Sequence, residues 1–146
     1  MSTDALLGVW HLVSFVRLDA NGDVAASPKG SDPQGMLVYC ADGHMSVHLM
    51  NSGRTPFGGV AQEEGTAAEK VEALDTYQGY AGTFELSKGR VTHHVTLSSF
   101  PNWVGRSIWR DAELDGDTLT LTARYQGSTG DAQRSVLVWR RGPKVT

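Results

Sequence analysis

Apolar and polar residues alternate over several stretches of the chain, which is the pattern of β-strands that bury one face. At 118–125 the odd positions are apolar and end in Tyr125, whereas the even positions are polar. At 90–99 the odd positions up to Leu97 are apolar, with the exception of His93. Because successive side chains of a strand point to opposite faces, the pattern predicts strands with an apolar inner face that His93 shares.

Turn signals separate these stretches at short intervals, as is typical of an antiparallel all-β protein. The strongest are the Asn-Gly and Asp-Gly pairs at 21–22, 42–43 and 115–116, which tolerate the positive φ of tight hairpins. Weaker versions stand at 88–89 and at Thr129-Gly130. The predicted strands are 9–18, 36–40, 44–50, 82–86, 90–99, 106–114, 118–125 and 135–140. About eight strands are enough to close a barrel with room for one small ligand.

One helix interrupts the strands. Thr66 and Glu69 have the spacing of a capping box, in which each side chain accepts a hydrogen bond from a free amide at the helix start. The apolar positions that recur on one helical face are Ala67, Val71, Leu74 and Tyr77. We expect a helix over 67–77 that packs this face on the barrel or over its mouth. The Gly-, Pro- and Ser-rich stretch 51–65 is predicted to be a loop, either a lid or a plain connection.

Composition and charge mainly exclude classes of protein, such as nucleic-acid-binding and membrane proteins. The 146 residues are expected to form a single domain over 1–146, with a net charge of −3 and scattered basic residues that form no nucleic-acid-binding face. The start, at 1–4, lacks the basic residues of a signal peptide, and the apolar stretch 5–16 is too short to cross a membrane. Cys40 is the only cysteine and is expected to be a small buried hydrophobe. We expect a cytoplasmic protein without a membrane or nucleic-acid partner.

His93 is the leading candidate for chemistry. A histidine among aliphatic neighbours can be held neutral near pH 7 and act as a general acid or base. The alternative is a buried, hydrogen-bonded core histidine. Tyr39, grouped with His93 as a catalytic candidate, and Tyr80, a ligand-binding candidate, can each donate a hydrogen bond to a ligand oxygen or simply pack in the barrel.

Arg54 and Trp103 are candidates from the loops. Arg54 follows the strand at 44–50, where its planar guanidinium can stabilise charge on a carboxylate or enolate oxygen, or can be an ordinary surface group. Trp103 lies in a Pro-Asn-Trp corner and is expected to stack on a flat ligand, because corners line barrel mouths. Trp109 and Trp139 are assigned mainly to packing.

Three further residues are predicted ligand contacts, namely Arg110, Tyr125 and His48. The ordinary alternative for Arg110 is an ion pair with a carboxylate. His44 and His48 share one face of their strand and the apolar residues take the other, so both histidines lie outside unless the cavity is polar.

No metal or cofactor is predicted. His44 and His48 lie about 13 Å apart along one strand, which is too far for a single zinc ion. The adjacent His93 and His94 face opposite ways. The sequence contains no dinucleotide-binding Gly-x-Gly-x-x-Gly, no Walker loop and no Gly-x-Ser-x-Gly elbow, so nucleotide cofactors and covalent catalysis are not indicated.

Nearly the whole chain resembles the bacterial and fungal lipocalin-like domain family. The resemblance rests on the order and spacing of many short motifs, together with Arg54 and Arg110. These motifs are LGVWHLVS at 7–14, PQGMLVY at 33–39, DGHMSV at 42–47, YAGTF at 80–84, VTHHV at 91–95, FPNWVG at 100–105, DGDTLTL at 115–121 and VWRR at 138–141. The resemblance implies an all-β, lipocalin-like antiparallel barrel of about eight strands with one short mid-chain helix.

In the wider lipocalin group, an opening tryptophan closes one barrel end beneath an arginine of the last strand. The resemblance gives these parts to Trp10 and to Arg140 or Arg141, and a guanidinium stacked on an indole is physically sound. Typical lipocalins are secreted and disulfide-bonded, whereas this chain has one cysteine, which argues against transport between cells. The family implies no set of catalytic residues, because a fold does not fix a function.

Two functions remain open, both with a small apolar or aromatic ligand in the barrel. The leading hypothesis is a cofactor-independent isomerase, cyclase or lyase of a biosynthetic pathway, in which His93 moves a proton and Arg54 or a tyrosine stabilises charge on oxygen. The alternative is an intracellular carrier that catalyses nothing. A homodimer is a further prediction.

Overall fold

The computed structural model describes residues 1–126 and 132–145 and is dominated by one antiparallel sheet. Pairing between the first and last strands closes the sheet into a barrel of eight strands, as the sequence predicted, and the ninth, β2, is short and lies beside the end of β1. The strands are β1 (Gly8–Leu18), β2 (Val24–Ala26), β3 (Gln34–Tyr39), β4 (His44–Met50), β5 (Tyr77–Ser87), β6 (Arg90–Ser98), β7 (Ser107–Asp115), β8 (Thr118–Gln126) and β9 (Ala132–Arg141). The predicted turn at Thr129-Gly130 lies outside the described residues.

Two predictions about individual segments were wrong. Strand β5 begins at Tyr77, five residues before the predicted start at 82, because Tyr77 already pairs with Met50 of β4. Cys40 is exposed rather than buried. It follows the last residue of β3, Tyr39, whose side chain occupies the inward position, so the next side chain points outward.

A bulge in β1 changes which of its side chains face the interior. Leu12 pairs with Trp139 and Ser14 with Val138, so Val13 is an extra residue with no partner on β9. Before the bulge, even-numbered residues of β1 point inward, and after it odd-numbered residues do, which turns Arg17 into the barrel.

A second bulge, in β6, overturns the prediction for Leu97. Gly82 pairs with Val95 and Ala81 with Leu97, so Thr96 is the extra residue and Leu97 is 68% exposed instead of facing inward. This geometry requires glycine at position 82, because a Cβ there would overlap the carbonyl oxygen of His94. Upstream of the bulge, His93 keeps the inward position that the alternation predicts.

Two α-helices accompany the barrel, α1 (Thr3–Leu6) and α2 (Ala67–Asp75). The predicted capping box is present: the Glu69 amide donates to Thr66 Oγ1, and the Thr66 amide donates to Glu69 Oε1. The predicted packing of the helix is not observed, since Val71 and Leu74 are each 59% exposed. Neither helix in the described part of the chain has the length and apolarity needed to span a membrane.

One end of the barrel is closed by Trp10. Its side chain is fully buried, and its indole N–H donates to the carbonyl of Leu6 at 2.8 Å, which holds α1 across this end. The Arg141 guanidinium lies 4.3 Å from the centre of the Trp10 ring. Its two terminal nitrogens donate to the carbonyls of Ala5 and Leu7 at 2.6 and 2.7 Å. Arg141, rather than Arg140, is therefore the arginine that covers the tryptophan.

Candidate functional site

The opposite half of the barrel encloses a cavity of about 450 Å³. It is framed by the inward positions of most strands and by the corner that carries Trp103. Its apolar walls include Phe15, Leu37, Val47, Leu121, Leu137 and Trp139. A cavity of this volume matches the size of sites that enclose one small organic molecule.

A chain of three hydrogen-bonded side chains crosses the floor of the cavity. The Tyr39 hydroxyl lies 2.7 Å from His93 Nε2, and the Tyr80 hydroxyl lies 2.6 Å from His93 Nδ1. Tyr39 is 1% exposed and does not line the cavity, whereas His93 and Tyr80 both line it. The chain therefore runs from the core to the cavity surface and ends at the Tyr80 hydroxyl.

Burial indicates which group donates each of these two hydrogen bonds. Within the described residues, the Tyr39 hydroxyl has no acceptor other than His93 Nε2, and a buried hydroxyl hydrogen without an acceptor is costly. Tyr80 differs from Tyr39 because it lines the cavity and can turn its hydroxyl hydrogen toward a ligand there. We therefore assign Tyr39 as the donor to Nε2, which places the imidazole proton on Nδ1 as the donor to the Tyr80 oxygen. The hydroxyl hydrogen of Tyr80 is then free to be donated to a ligand in the cavity.

The electrostatics keep all three groups neutral. Burial, reinforced by the positive charge of Arg110, lowers the pKa of His93 to about 3. Burial also raises the pKa of Tyr39 and of Tyr80 above the ordinary tyrosine value, although the Arg110 charge acts in the opposite direction. Because His93 is neutral and both its ring nitrogens are engaged, it has no free lone pair with which to act as a base on a ligand.

Two arginines add positive charge to the cavity. Arg110 points inward from β7 and donates to the carbonyl of its neighbour Trp109 at 3.0 Å. Arg17 points inward from β1 and lies 5.5 Å from the centre of the Tyr125 ring. Within residues 1–126 and 132–145, neither forms an ion pair with a carboxylate.

Several buried polar atoms at the cavity have no hydrogen-bond partner within the part of the chain that the structure describes. They are Arg17 Nε, the Tyr125 hydroxyl and Trp139 Nε1. An indole N–H and a guanidinium N–H can only donate, so these atoms require an acceptor. The cavity therefore presents a surplus of hydrogen-bond donors, to which Tyr80 adds its own.

Six of the eight residues singled out from the sequence meet at this cavity. Tyr80, His93, Trp103, Arg110 and Tyr125 line it, and Tyr39 contacts it through His93. Trp103 packs edge-on against Tyr80, with ring centres 5.6 Å apart, which fixes the tyrosine at the cavity wall.

Arg54 and His48 lie elsewhere. Arg54 donates to Thr76 Oγ1 and to the carbonyl of Ala73, both at 3.0 Å, and so satisfies a free carbonyl at the end of α2. His48 is exposed on the outer face of β4, where its ring nitrogens bond to the hydroxyls of Ser46 and Tyr77. Neither side chain lines the barrel cavity.

Sequence reasoning missed Arg17 and undervalued Trp139. Strand parity counted from Trp10 places Arg17 outside, and the bulge at Val13 that reverses this parity leaves no recognisable signal in the sequence. Trp139 was assigned to packing, and it is indeed buried, but its unpartnered N–H also belongs to the cavity.

Comparison with known proteins agrees with this architecture. The family model described as a lipocalin-like domain matches residues 7–142. A relative from Aspergillus oryzae, the 4'-hydroxy-3'-methoxypropiophenone carrier protein ppsC, is 36% identical over a 111-residue alignment that covers 70% of this chain and 100% of the relative. The chain belongs to the lipocalin-like domain family.

Proposed function

We propose that this lipocalin-like barrel is a carrier that binds one small, largely apolar aromatic molecule with one or more oxygen atoms. The observation that carries the proposal is the surplus of donors in the cavity, at Tyr80, Arg17 and Trp139. Carbonyl, ether and hydroxyl oxygens of a ligand would accept these hydrogen bonds, while its ring would fill the apolar space.

The relative supports the carrier role over catalysis. The compound in its name, 4'-hydroxy-3'-methoxypropiophenone, combines an aromatic ring with ketone, phenol and ether oxygens. Such a molecule fits the chemistry expected for the ligand of this chain. The hydrogen bonding of His93 agrees with a carrier, because a base with both nitrogens engaged and a pKa of about 3 is poorly suited to remove a proton near neutral pH.

Titration with 4'-hydroxy-3'-methoxypropiophenone tests the proposal. Trp103, Trp109 and Trp139 line the cavity, so bound ligand should quench tryptophan fluorescence saturably. Tyr80→Phe removes one hydrogen bond to the ligand and should weaken binding about 5- to 10-fold. Tyr77→Phe is the matched control, because Tyr77 contacts His48 on the outer surface. Absence of saturable binding, or equal effects of the two substitutions, would count against the carrier proposal.

A native mass spectrum of freshly purified protein complements the titration. An aromatic molecule released on denaturation would identify the natural ligand class. The same spectrum measures the oligomeric state, so it also tests the homodimer, which stays a prediction.

The second candidate is a cofactor-independent isomerase, cyclase or lyase in which His93 transfers a proton. The chain from Tyr39 through His93 to Tyr80 favours it, because such a chain can pass a proton to or from a ligand oxygen. In heavy water, an enzyme of this kind would exchange the hydrogens next to the ketone of the bound compound, and His93→Gln would abolish the exchange while binding persists. With a carrier, the ligand would gain deuterium no faster than it does in buffer alone.

A further inference from the structure

Three arginines of the barrel are paired with carboxylates. Arg90 and Arg124 both pair with Asp111, and Arg141 pairs with Asp117, so these charges are balanced by protein carboxylates. Within the described residues, Arg17 and Arg110 have no such partner, and no carboxylate lines the cavity that they enter. The cavity therefore carries positive charge that the described protein groups leave uncompensated.

The other titratable groups that face the cavity do not supply the missing negative charge. Burial raises the pKa of Tyr80 and of Tyr39 behind it, so both remain protonated. His93 is neutral. Tyr125 presents a hydroxyl, and Arg124 at the rim is already paired with Asp111.

The wall between the two unpaired arginines leaves space for a ligand. Arg17 on β1 pairs with Ser135 on β9, which pairs in turn with Ala123 on β8, the strand next to the β7 that carries Arg110. Three strand spacings therefore separate the two arginines, about 14 Å along the wall. The inward side chains between them, Ala123 and Ser135, are small and line the cavity. A flat ring can lie against this patch with a guanidinium on either side.

Arg17 and Arg110 are half-buried. A cation in such a position is stabilised by a nearby anion, because the low dielectric of the barrel interior strengthens the attraction and makes an unpaired charge costly. We propose that the cavity binds its ligand as an aromatic oxyanion, the phenolate of an acyl phenol, with the negative charge placed between Arg17 and Arg110. This inference rests on the carrier proposal and adds the ionisation state of the ligand to it. The phenolate also accepts the hydrogen bonds that the unpartnered donors require.

The test compares 4'-hydroxy-3'-methoxypropiophenone with its methyl ether, 3',4'-dimethoxypropiophenone, which cannot ionise. A phenolate absorbs at longer wavelength than its phenol, so the absorbance of the bound compound reports its charge. At a pH below the pKa of the free phenol, we expect the bound phenol to show the phenolate band. We also expect it to bind at least about tenfold more tightly than the ether, since an adjacent cation favours the charged form.

Three variants localise the effect. Arg17→Gln and Arg110→Gln should each weaken the phenolate band and bring the affinities of phenol and ether closer together. Arg106→Gln is the matched control, because Arg106 is exposed and does not line the cavity. It removes the same charge and should leave both readouts unchanged. Retained binding of the ether by the cavity variants shows that their barrel is folded.

The outcomes separate the two proposals. If the wild-type protein binds phenol and ether equally and the bound phenol shows no phenolate band, the oxyanion inference is wrong and the carrier proposal stands. If neither compound binds, the carrier proposal for this ligand class fails, and the inference fails with it. The wild-type spectrum and affinities distinguish these outcomes even if an arginine variant does not fold.

Discussion

Each end of the barrel has an arginine stacked on an aromatic ring, but the two arginines differ in their other contacts. At the closed end, Arg141 lies over the ring of Trp10. At the opposite end, where the cavity lies and which we call the open end, Arg17 lies over the ring of Tyr125. The Arg141 nitrogens donate to backbone carbonyls and its charge is paired with Asp117. Within the described residues, Arg17 Nε is buried without a partner.

The difference shows how a small barrel separates stability from binding. Where every donor meets an acceptor of the protein, the interaction stabilises the fold and leaves nothing for a ligand. Where buried donors have no acceptor, the fold bears a cost that a ligand can relieve, typically about 1–3 kcal/mol for each such group. The closed end should therefore dominate unfolding measurements, and the open end should dominate binding measurements.

The largest expected effect is at the closed end. Trp10→Ala should lower the free energy of unfolding by about 3–5 kcal/mol, because it leaves a large cavity under α1. Urea unfolding measures this loss. Trp109→Ala is the control and should cost much less, since Trp109 is 38% exposed. Equal losses would show that Trp10 is not the main support of this end.

The matched arginines test the comparison directly. Arg141→Gln should cost about 1.5–3 kcal/mol of unfolding free energy, because two charged hydrogen bonds to the backbone are lost. Arg17→Gln should change stability by less than about 0.5 kcal/mol, or raise it, since the buried Arg17 Nε has no hydrogen-bond partner to lose within the described residues. Thermal unfolding of both variants checks this, and a larger loss in Arg17→Gln would reverse the assignment of the two ends.

Substitution of the two tyrosines that hydrogen-bond to His93 should show the same contrast, with stability affected more at one and ligand binding more at the other. Tyr39→Phe leaves Nε2 of a buried histidine without a donor and should destabilise the protein by about 1–2 kcal/mol. Tyr80→Phe should cost less stability, because water in the cavity can replace the lost hydroxyl. Ligand affinity should fall more in Tyr80→Phe. Unfolding and binding measurements on both variants test this contrast. Equal losses of stability together with equal losses of affinity would refute it.

The most gradual effect is the pH dependence that His93 adds to stability. In the unfolded chain this histidine binds a proton below its ordinary pKa of 6.5, whereas in the folded protein it stays neutral until the pH approaches about 3. Stability should therefore fall as the pH drops below 6.5, by up to about 1.4 kcal/mol per pH unit from this group. Urea unfolding across this range measures the slope of stability against pH. The control variant His44→Gln, which removes an exposed histidine, should keep this slope, and His93→Gln should reduce it. Identical slopes would exclude His93 as the cause.

Much of the candidate site could be predicted from the sequence because its residues lie on regular parts of the strands. Alternation alone predicted that His93 and Tyr125 face inward, since no bulge interrupts β6 before His93 or β8 before Tyr125. Arg17 was missed and Leu97 was misplaced because each follows a single extra residue, at Val13 and Thr96, that reverses the parity of its strand. Arg54 was grouped with the catalytic residues by its chemistry, although its guanidinium holds the end of α2.

Local patterns and the order of motifs along the chain were sufficient to predict the eight strands of the barrel, the capping box of α2, the class of fold and the family. The hydrogen-bonded series of Tyr39, His93 and Tyr80, and the entry of Arg17 and Arg110 into the same cavity, follow instead from the tertiary structure. These groups come from β1, β3, β5, β6 and β7. Their meeting depends on barrel closure and, for Arg17, on the bulge at Val13, which are set by packing between distant strands rather than by the residues near each group.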